Sequence, residues 1–352
     1  MKLFFFCALL FLQTAALLAQ ETLPLYDRTN SVKMDETLQP LRQAVQPTLL
    51  RILNEDSKTI LTGTFITEDG YFVTKASEAP QGERLSIQLA DDTQRVARVV
   101  QRLQEHDLLL AKADVSHAQA VRWQALEKQR HGQWLAAPSS GLDENLHWQP
   151  IMRIGVMSAQ NRSIAASRPA LGLELRNAPQ GGVRIASVWP ESPAAKAGLT
   201  EADHILRVEE QPIKNALHMT QLLADKWAGQ VVKLQLRRSK QNIYVNVRLG
   251  SMSRVSLTAT GEDYVSGGVS LRTDGFKTIL QHDLPLKSRD MGGPLLNLAG
   301  ECIGINIARV DRISTYALPA AELLQPLQQS LKQDRQMHRE VIRKATAVAA
   351  LH

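Results

Sequence analysis

The side chains able to do covalent or acid–base chemistry are few and dispersed along the chain. Ser288 follows Lys287, and a serine hydroxyl beside a lysine amine is one way to build an activated nucleophile. No glycine-rich elbow precedes this pair, so an ordinary loop serine is the better reading of the local sequence. His106 adjoins Asp107, a base next to a carboxylate that could orient it. Read as neighbours on a strand, the two side chains point to opposite faces, which takes the imidazole away from the carboxylate's site. His282 precedes the Ser288 segment, and Cys302, in an apolar run after Gly300, reads as a small buried core residue. No cluster has metal-ligand spacing, so no metal and no cofactor is expected.

The elements that would position these residues are mostly short strands. Thr59 to Thr67 is rich in β-branched residues, Asp69-Gly70 signals a hairpin turn, and Tyr71 to Thr74 returns. Leu85, Ile87 and Leu89 alternate before the turn at Asp91-Asp92. Such spacing predicts a β-barrel or sandwich. Ala170 to Leu249 differs in character. Strands are predicted over Leu171 to Leu175 and Val183 to Val188. A short helix has Ser192 as N-cap, Pro193 in its first turn and Gly198 as its stop. A second helix is predicted from Asn215 to Lys226, then strands over Val231 to Arg237 and Ile243 to Leu249. Strand patterning resumes at Val269 and ends near Leu318. Beyond Pro319 the chain reads as a charged helix with a break at Pro326.

The first residues read as a leader rather than as fold. Met1-Lys2 is basic, Leu3 to Leu18 is apolar, and Ala19-Gln20 follows. The run is shorter than the roughly 20 residues that span a bilayer. Cleavage near Ala19, export to the periplasm or an equivalent envelope space, and no stable membrane span after cleavage are therefore expected. The mature chain then keeps one cysteine, Cys302, and no internal disulfide. With 44% hydrophobic and 22% charged residues the composition is that of a globular protein. The net charge of +6 is spread in small clusters such as Arg237-Arg238, and no nucleic-acid motif accompanies it, so no nucleic-acid partner is expected.

Two stretches resemble HtrA/Deg-type trypsin-like serine proteases. Gly63 to Ala79 is similar to that family's glycine-rich strand, Asp-Gly turn and Thr-Asn-Asn-His segment. Here Thr74-Lys75-Ala76-Ser77 stands in that place, with Ser77 where the resemblance puts the general base. Leu280 to Ala308 is similar to the family's segment ending in Gly-Asn-Ser-Gly-Gly. Gly292-Gly293-Pro294-Leu295 are kept, while Met291 falls on the nucleophile, Asp290 on the residue before it and Arg289 on the preceding glycine. Glu105 to Asp114 is similar to the segment that carries the catalytic Asp, which puts it at Asp107. Gly132 to Pro138 and Ile154 to Arg162 resemble the opening of the family's second barrel.

The resemblance therefore implies a mainly β, trypsin-like double β-barrel whose triad-equivalent positions are Ser77, Asp107 and Met291. A thioether has no proton to lose, Ser77 is no base near neutral pH, and Asp107 without its His has nothing to orient. Arg289 in place of glycine and the added charge of Asp290 are expected to spoil the oxyanion loop.

Arg168 to Asn215 resembles a bacterial PDZ domain, most specifically in Ser192-Pro-Ala-Ala-Lys-Ala-Gly-Leu199. Ala202 departs from the glycine that normally precedes the Asp that here is Asp203. The resemblance makes Ala170, Leu171, Gly172, Leu173 and Leu175 the peptide-binding loop and strand, with backbone N–H groups facing a C-terminal carboxylate. Placing this domain inside the second barrel resembles a group of protease-like proteins of planctomycete-type bacteria.

The expected layout is a signal peptide at 1–19, a linker at 20–37, the first part of the protease-like domain at 38–165, and the PDZ domain at 166–250. The second part of the protease-like domain then covers 251–320, and a helical tail 321–352. The function expected is that of a non-catalytic envelope protein binding peptide or protein C-termini. A serine endopeptidase with a displaced nucleophile at Ser288 is the alternative. Pairing with active HtrA-type relatives and homo-oligomerisation are both left open.

Overall fold

The structure is a computed structural model that describes residues 31–115, 117–125, 130–141, 147–201, 203–260 and 268–349, the side chains of 257–260 and 341–349 excepted. The leader at 1–19 and Ala202 lie outside the described residues. The described residues up to Pro40 group as a unit distinct from those that follow. Helix α1 (Val32–Val45) begins inside the stretch read from sequence as an irregular linker. The Ser31 hydroxyl accepts the Met34 N–H at 3.1 Å and Asp35 sits in the first turn, which favours helix at this end.

Strands β1 (Leu49–Leu53), β2 (Thr59–Phe65), β3 (Tyr71–Lys75), β4 (Arg84–Leu89), β5 (Gln94–Leu103) and β6 (Leu108–Ala113) close a first barrel in the order β1-β2-β3-β6-β5-β4. Every residue of β1 and β3 is buried, Lys75 included. β7 (Trp134–Ser139) and β8 (Ile151–Ile164) pair antiparallel and begin a second barrel.

The chain then leaves that barrel. β9 (Pro169–Ala170), β10 (Leu173–Asn177), β11 (Val183–Val188), α2 (Pro193–Lys196), β12 (His204–Val208), β13 (Gln211–Pro212), α3 (Ala216–Ala224), β14 (Val231–Arg238) and β15 (Gln241–Arg248) follow. They form a sheet ordered β10-β11-β12-β14-β15, with β13 on β12. Its core, around Val183, Ile205, Leu234, Leu236 and Val247, is separate from that of the barrels. Both helices start where expected. The Ser192 hydroxyl accepts the Ala195 N–H, and the Asn215 side chain accepts the His218 N–H. α3 stops two residues before Lys226. β16 (Gly250–Ser251) returns beside β9, and α4 (Met252–Thr260) follows.

β17 (Phe276–His282), β18 (Pro294–Leu296), β19 (Cys302–Arg309) and β20 (Thr315–Pro319) close the second barrel as β17-β20-β19-β18-β7-β8. Strand structure thus resumes at Phe276 rather than Val269. The described residues before it form a loop in which Ser270, Arg272 and Asp274 are buried. The Arg272 guanidinium satisfies the carbonyls of Asp274, Gly275, Gln104 and Glu105, which replaces a ladder. α5 (Ala320–Ala349) runs through Pro326 without the expected break, because Leu323 and Leu327 on either side are buried in the core. No helix among the described residues is long and apolar enough to cross a membrane.

Candidate functional site

Asp107 does not lie on a strand. It caps a 3-10 turn over Gln104–His106 with φ of 54°, a left-handed conformation that Asp tolerates better than most residues. The strand argument that turned His106 away therefore does not apply. His106 instead stands near Glu105 and Glu322, half-buried, and burial lowers its pKa.

From this turn the Asp107 carboxylate organises the end of β3 and the residues after it. Oδ1 accepts the Ser77 N–H at 2.7 Å, and Oδ2 accepts the Ser77 hydroxyl at 2.9 Å. Oδ2 also accepts the Lys75 ammonium at 2.6 Å. That ammonium donates further to the carbonyls of Ile307 at 2.7 Å and Arg272 at 3.1 Å. Lys75, Ser77 and Asp107 are all buried. Asp107 thus has two groups to orient, contrary to the expectation that it would have none.

Lys75 was not singled out by sequence reasoning. A signal was available in a lysine on a strand otherwise built for burial, two residues before Ser77. Two charges removed from water are tolerable only when paired and fully hydrogen-bonded, and the Lys75 ammonium has three acceptors. Glu78, 3.8 Å from the ammonium, accepts the Leu271 N–H at 2.9 Å, and burial raises its pKa.

Met291 lies at the seam between the barrels. It is fully buried within a cluster that mixes Leu50, Ile52 and Phe72 of the first barrel with Leu280, Leu295 and Ile303 of the second. Ser288–Asp290 form one 3-10 turn, and the Met291 N–H closes it by donating to the Ser288 carbonyl at 3.2 Å. The loop is stitched to β2: the Thr62 N–H donates to Met291 O at 3.1 Å, the Thr62 hydroxyl to Arg289 O at 3.1 Å, and the Thr64 hydroxyl to Gly292 O at 2.7 Å.

Asp290 is buried and its charge is spent on the loop itself. Its carboxylate accepts the Ser139 hydroxyl at 2.8 Å and the N–H groups of Ser140 at 2.9 Å and Lys287 at 2.7 Å. It braces the turn rather than standing free beside it. Arg289 is exposed. The Ser288 hydroxyl donates to Gly268 O at 2.7 Å. His282 is buried, its Nε2 2.8 Å from Asn306 Oδ1 and its Nδ1 accepting the Leu284 N–H, and burial pushes its pKa down to about 4. It is a neutral core group. Cys302 is likewise buried, and burial lifts its thiol to about 12, far from a nucleophilic thiolate.

Ala170, Leu171, Gly172, Leu173 and Leu175 line a single cavity of about 170 Å³, walled on the far side by Met219 and Leu223 of α3 and flanked by Trp189, Arg168 and Met252. β10 is an edge strand of its sheet, so its outer side can accept a further strand. Gly172 has a role beyond approach to a ligand. Its φ is 75°, and a Cβ there would lie 2.4 Å from Ser192 Cβ and 3.0 Å from Val255 Cγ1. The local packing itself requires glycine, so a Gly172→Val variant would disturb the domain as well as its groove. Among the described residues no cluster of three or more His, Cys, Asp or Glu could hold a metal ion.

A family model described as PDZ domain matches residues 169–249. The chain is 21% identical over 279 residues to a probable periplasmic serine endoprotease DegP-like of Halomonas elongata, covering 56% of this chain and 57% of that protein. It is 36% identical over 75 residues to the periplasmic serine endoprotease DegP of Salmonella typhimurium, covering 21% of this chain and 15% of that protein. The chain thus spans little more than half of the first relative and a small part of the second. Among solved structures, the MamO protease domain from Magnetospirillum magneticum is similar over 80% of this chain and 96% of that one, at 15% identity and a TM-score of 0.41.

Proposed function

We propose that this chain is a non-catalytic HtrA-type protein, a trypsin-like double barrel carrying a PDZ domain, that binds peptide or protein C-termini. The observation that carries the proposal is the full burial of Met291, the residue that the resemblance aligns with the nucleophile. Acyl transfer needs a nucleophile that can lose a proton, a base within reach, and donors aimed at the oxyanion. Met291 has no such proton, and its N–H is engaged by Ser288 O. At the base position, Ser77 donates to a carboxylate already paired with Lys75. The chain is exported, with cleavage near Ala19, and works in the periplasm or an equivalent envelope space.

The active role belongs to the PDZ groove. An extended peptide adds beside β10 and sends its apolar last side chain between Leu171 and Met219. One short strand and one pocket must offset the ordering of a flexible peptide, so the affinity is on the order of micromolar. Two assays on the full chain test this. The protein is expected neither to hydrolyse casein nor to react with serine-directed phosphonates. Labelling that disappears in Ser288→Ala would overturn the non-catalytic reading in favour of a displaced nucleophile. A decapeptide ending in Leu is expected to bind, and its C-terminally amidated form to bind at least tenfold more weakly. Equal binding of the two would refute carboxylate capture.

A further inference from the structure

The PDZ domain touches the barrels at a particular place. The Arg248 guanidinium, at the end of β15, donates to the carbonyls of Ser77 at 2.7 Å and Ala79 at 3.1 Å. From the barrel side, Arg102 captures the carbonyls of Pro80 at 2.6 Å and Ala76 at 3.3 Å. The loop after β3 is therefore gripped by one guanidinium from its own barrel and one from the PDZ domain. Gly229, in the turn before β14, lies flat against the same loop. A Cβ on it would be 2.4 Å from Ser77 Cβ and 2.5 Å from Ser77 Cα, and its φ is 92°. Only glycine permits this approach.

The segment that makes this contact also builds one end of the peptide groove. The Gly229 N–H donates to Leu249 O at 2.7 Å, and Leu249 N–H returns to Gln230 O at 2.8 Å. The next two residues, Gly250 and Ser251, pair with Ala170 and Pro169 of the carboxylate loop. The Met252 N–H then donates to Arg168 O at 2.7 Å, and Val255, buried, packs where a Gly172 side chain would be. Residues 248–252 are thus a strap of five consecutive residues from the Ser77 loop to the groove.

We propose that the loop carrying Ser77 is the seat of the PDZ domain, and that seating orders the carboxylate end of the groove through residues 248–252. The surface beside the former base position then presents a binding module in a fixed, pre-organised state. A groove that is competent only when seated binds in proportion to its seated fraction.

Amide hydrogen exchange on the full chain tests this without any ligand. Arg248→Ala should raise exchange on the order of tenfold at Ser77 to Ala79 and also at Met252 and Trp189, whose N–H groups donate to the carbonyls of Arg168 and Gly172, while Leu234 and Leu236 keep their protection. Gly229→Ala, which adds one methyl against Ser77, should do the same and decides the matter if Arg248→Ala loosens the whole domain. Unchanged exchange at Ser77 to Ala79 would overturn the seat. A rise there with Met252 and Trp189 unaffected would overturn the coupling. A third arm rests on the peptide-binding reading above: the labelled decapeptide ending in Leu should bind Arg248→Ala about 3–10-fold more weakly than wild type. If the wild-type protein does not bind this probe at all, peptide binding fails while the exchange arms still decide seating and coupling.

Discussion

Lys75 and Asp107 face each other in the interior, and each makes the other's charge tolerable. Removing one partner of a buried pair leaves an uncompensated charge, so Lys75→Met should lower unfolding free energy by about 3–5 kcal/mol. Adding Asp107→Leu should recover part of that loss, because the charge itself goes. Additive losses measured in urea would contradict the pairing. Met291 contributes through packing. Met291→Ser puts a hydroxyl and a void into a closed apolar cluster, and should cost about 2–5 kcal/mol by the same measurement.

His282 makes stability depend on pH in a definite direction. Its folded pKa of about 4 lies below the ordinary 6.5, so the unfolded chain takes up the proton first. The contribution of the neutral ring is full above pH 6.5 and declines as pH falls towards 4. It amounts at most to about 3–4 kcal/mol, from about 1.4 kcal/mol per pH unit of separation. His282→Gln keeps a donor for Asn306, and its stability should fall less over that window. Parallel pH profiles for the two proteins would contradict the assignment.

Among the elements, α5 is tied to the first barrel at one buried carboxylate. Asp334 accepts the Tyr71 hydroxyl at 2.8 Å and both terminal nitrogens of Arg98 at 3.0 and 2.8 Å. These partners hold its pKa below the usual carboxylate range. Arg98 is half-exposed, so water screens its share, and most of the loss on substitution comes from Tyr71. Asp334→Ala should lower stability by about 1–3 kcal/mol, read as a lower urea midpoint at unchanged slope. A changed slope without a shifted midpoint would mean that α5 does not unfold with the barrel.

Across the whole molecule, the PDZ region enters and leaves at one point, because Pro169 pairs with Ser251 and Ile164 with Phe276. Ends this close let an inserted domain be removed without stretching its host. A chain in which a short Gly-Ser linker replaces residues 169–251 should therefore keep a cooperative unfolding transition by circular dichroism and lose binding of the Leu-ended decapeptide. A chain without a cooperative transition would make the PDZ domain part of the barrel's own core, against the separation of the two clusters.

The sequence by itself determined what local chemistry decides. Period-two patterning with its turn signals called for a barrel or sandwich, the Ser192 cap located one helix, and apolar spacing after Asn215 located a second. The residue types at Ser77 and Met291 set which proton transfers are open to them. Its failures were also local ones. The linker hid a capped helix at Val32, and Asp107 was read as a strand residue although a left-handed turn holds it. Only the tertiary structure decided the partnerships. Lys75 meets Asp107 across 32 residues, Asp290 meets Ser139 across 151, and Arg248 meets the Ser77 carbonyl across 171. A side chain's type and its neighbours in sequence say what it can bond to. Which group arrives within 3 Å depends on how closed sheets and an inserted domain bring distant segments together, and burial then gives each such contact its weight.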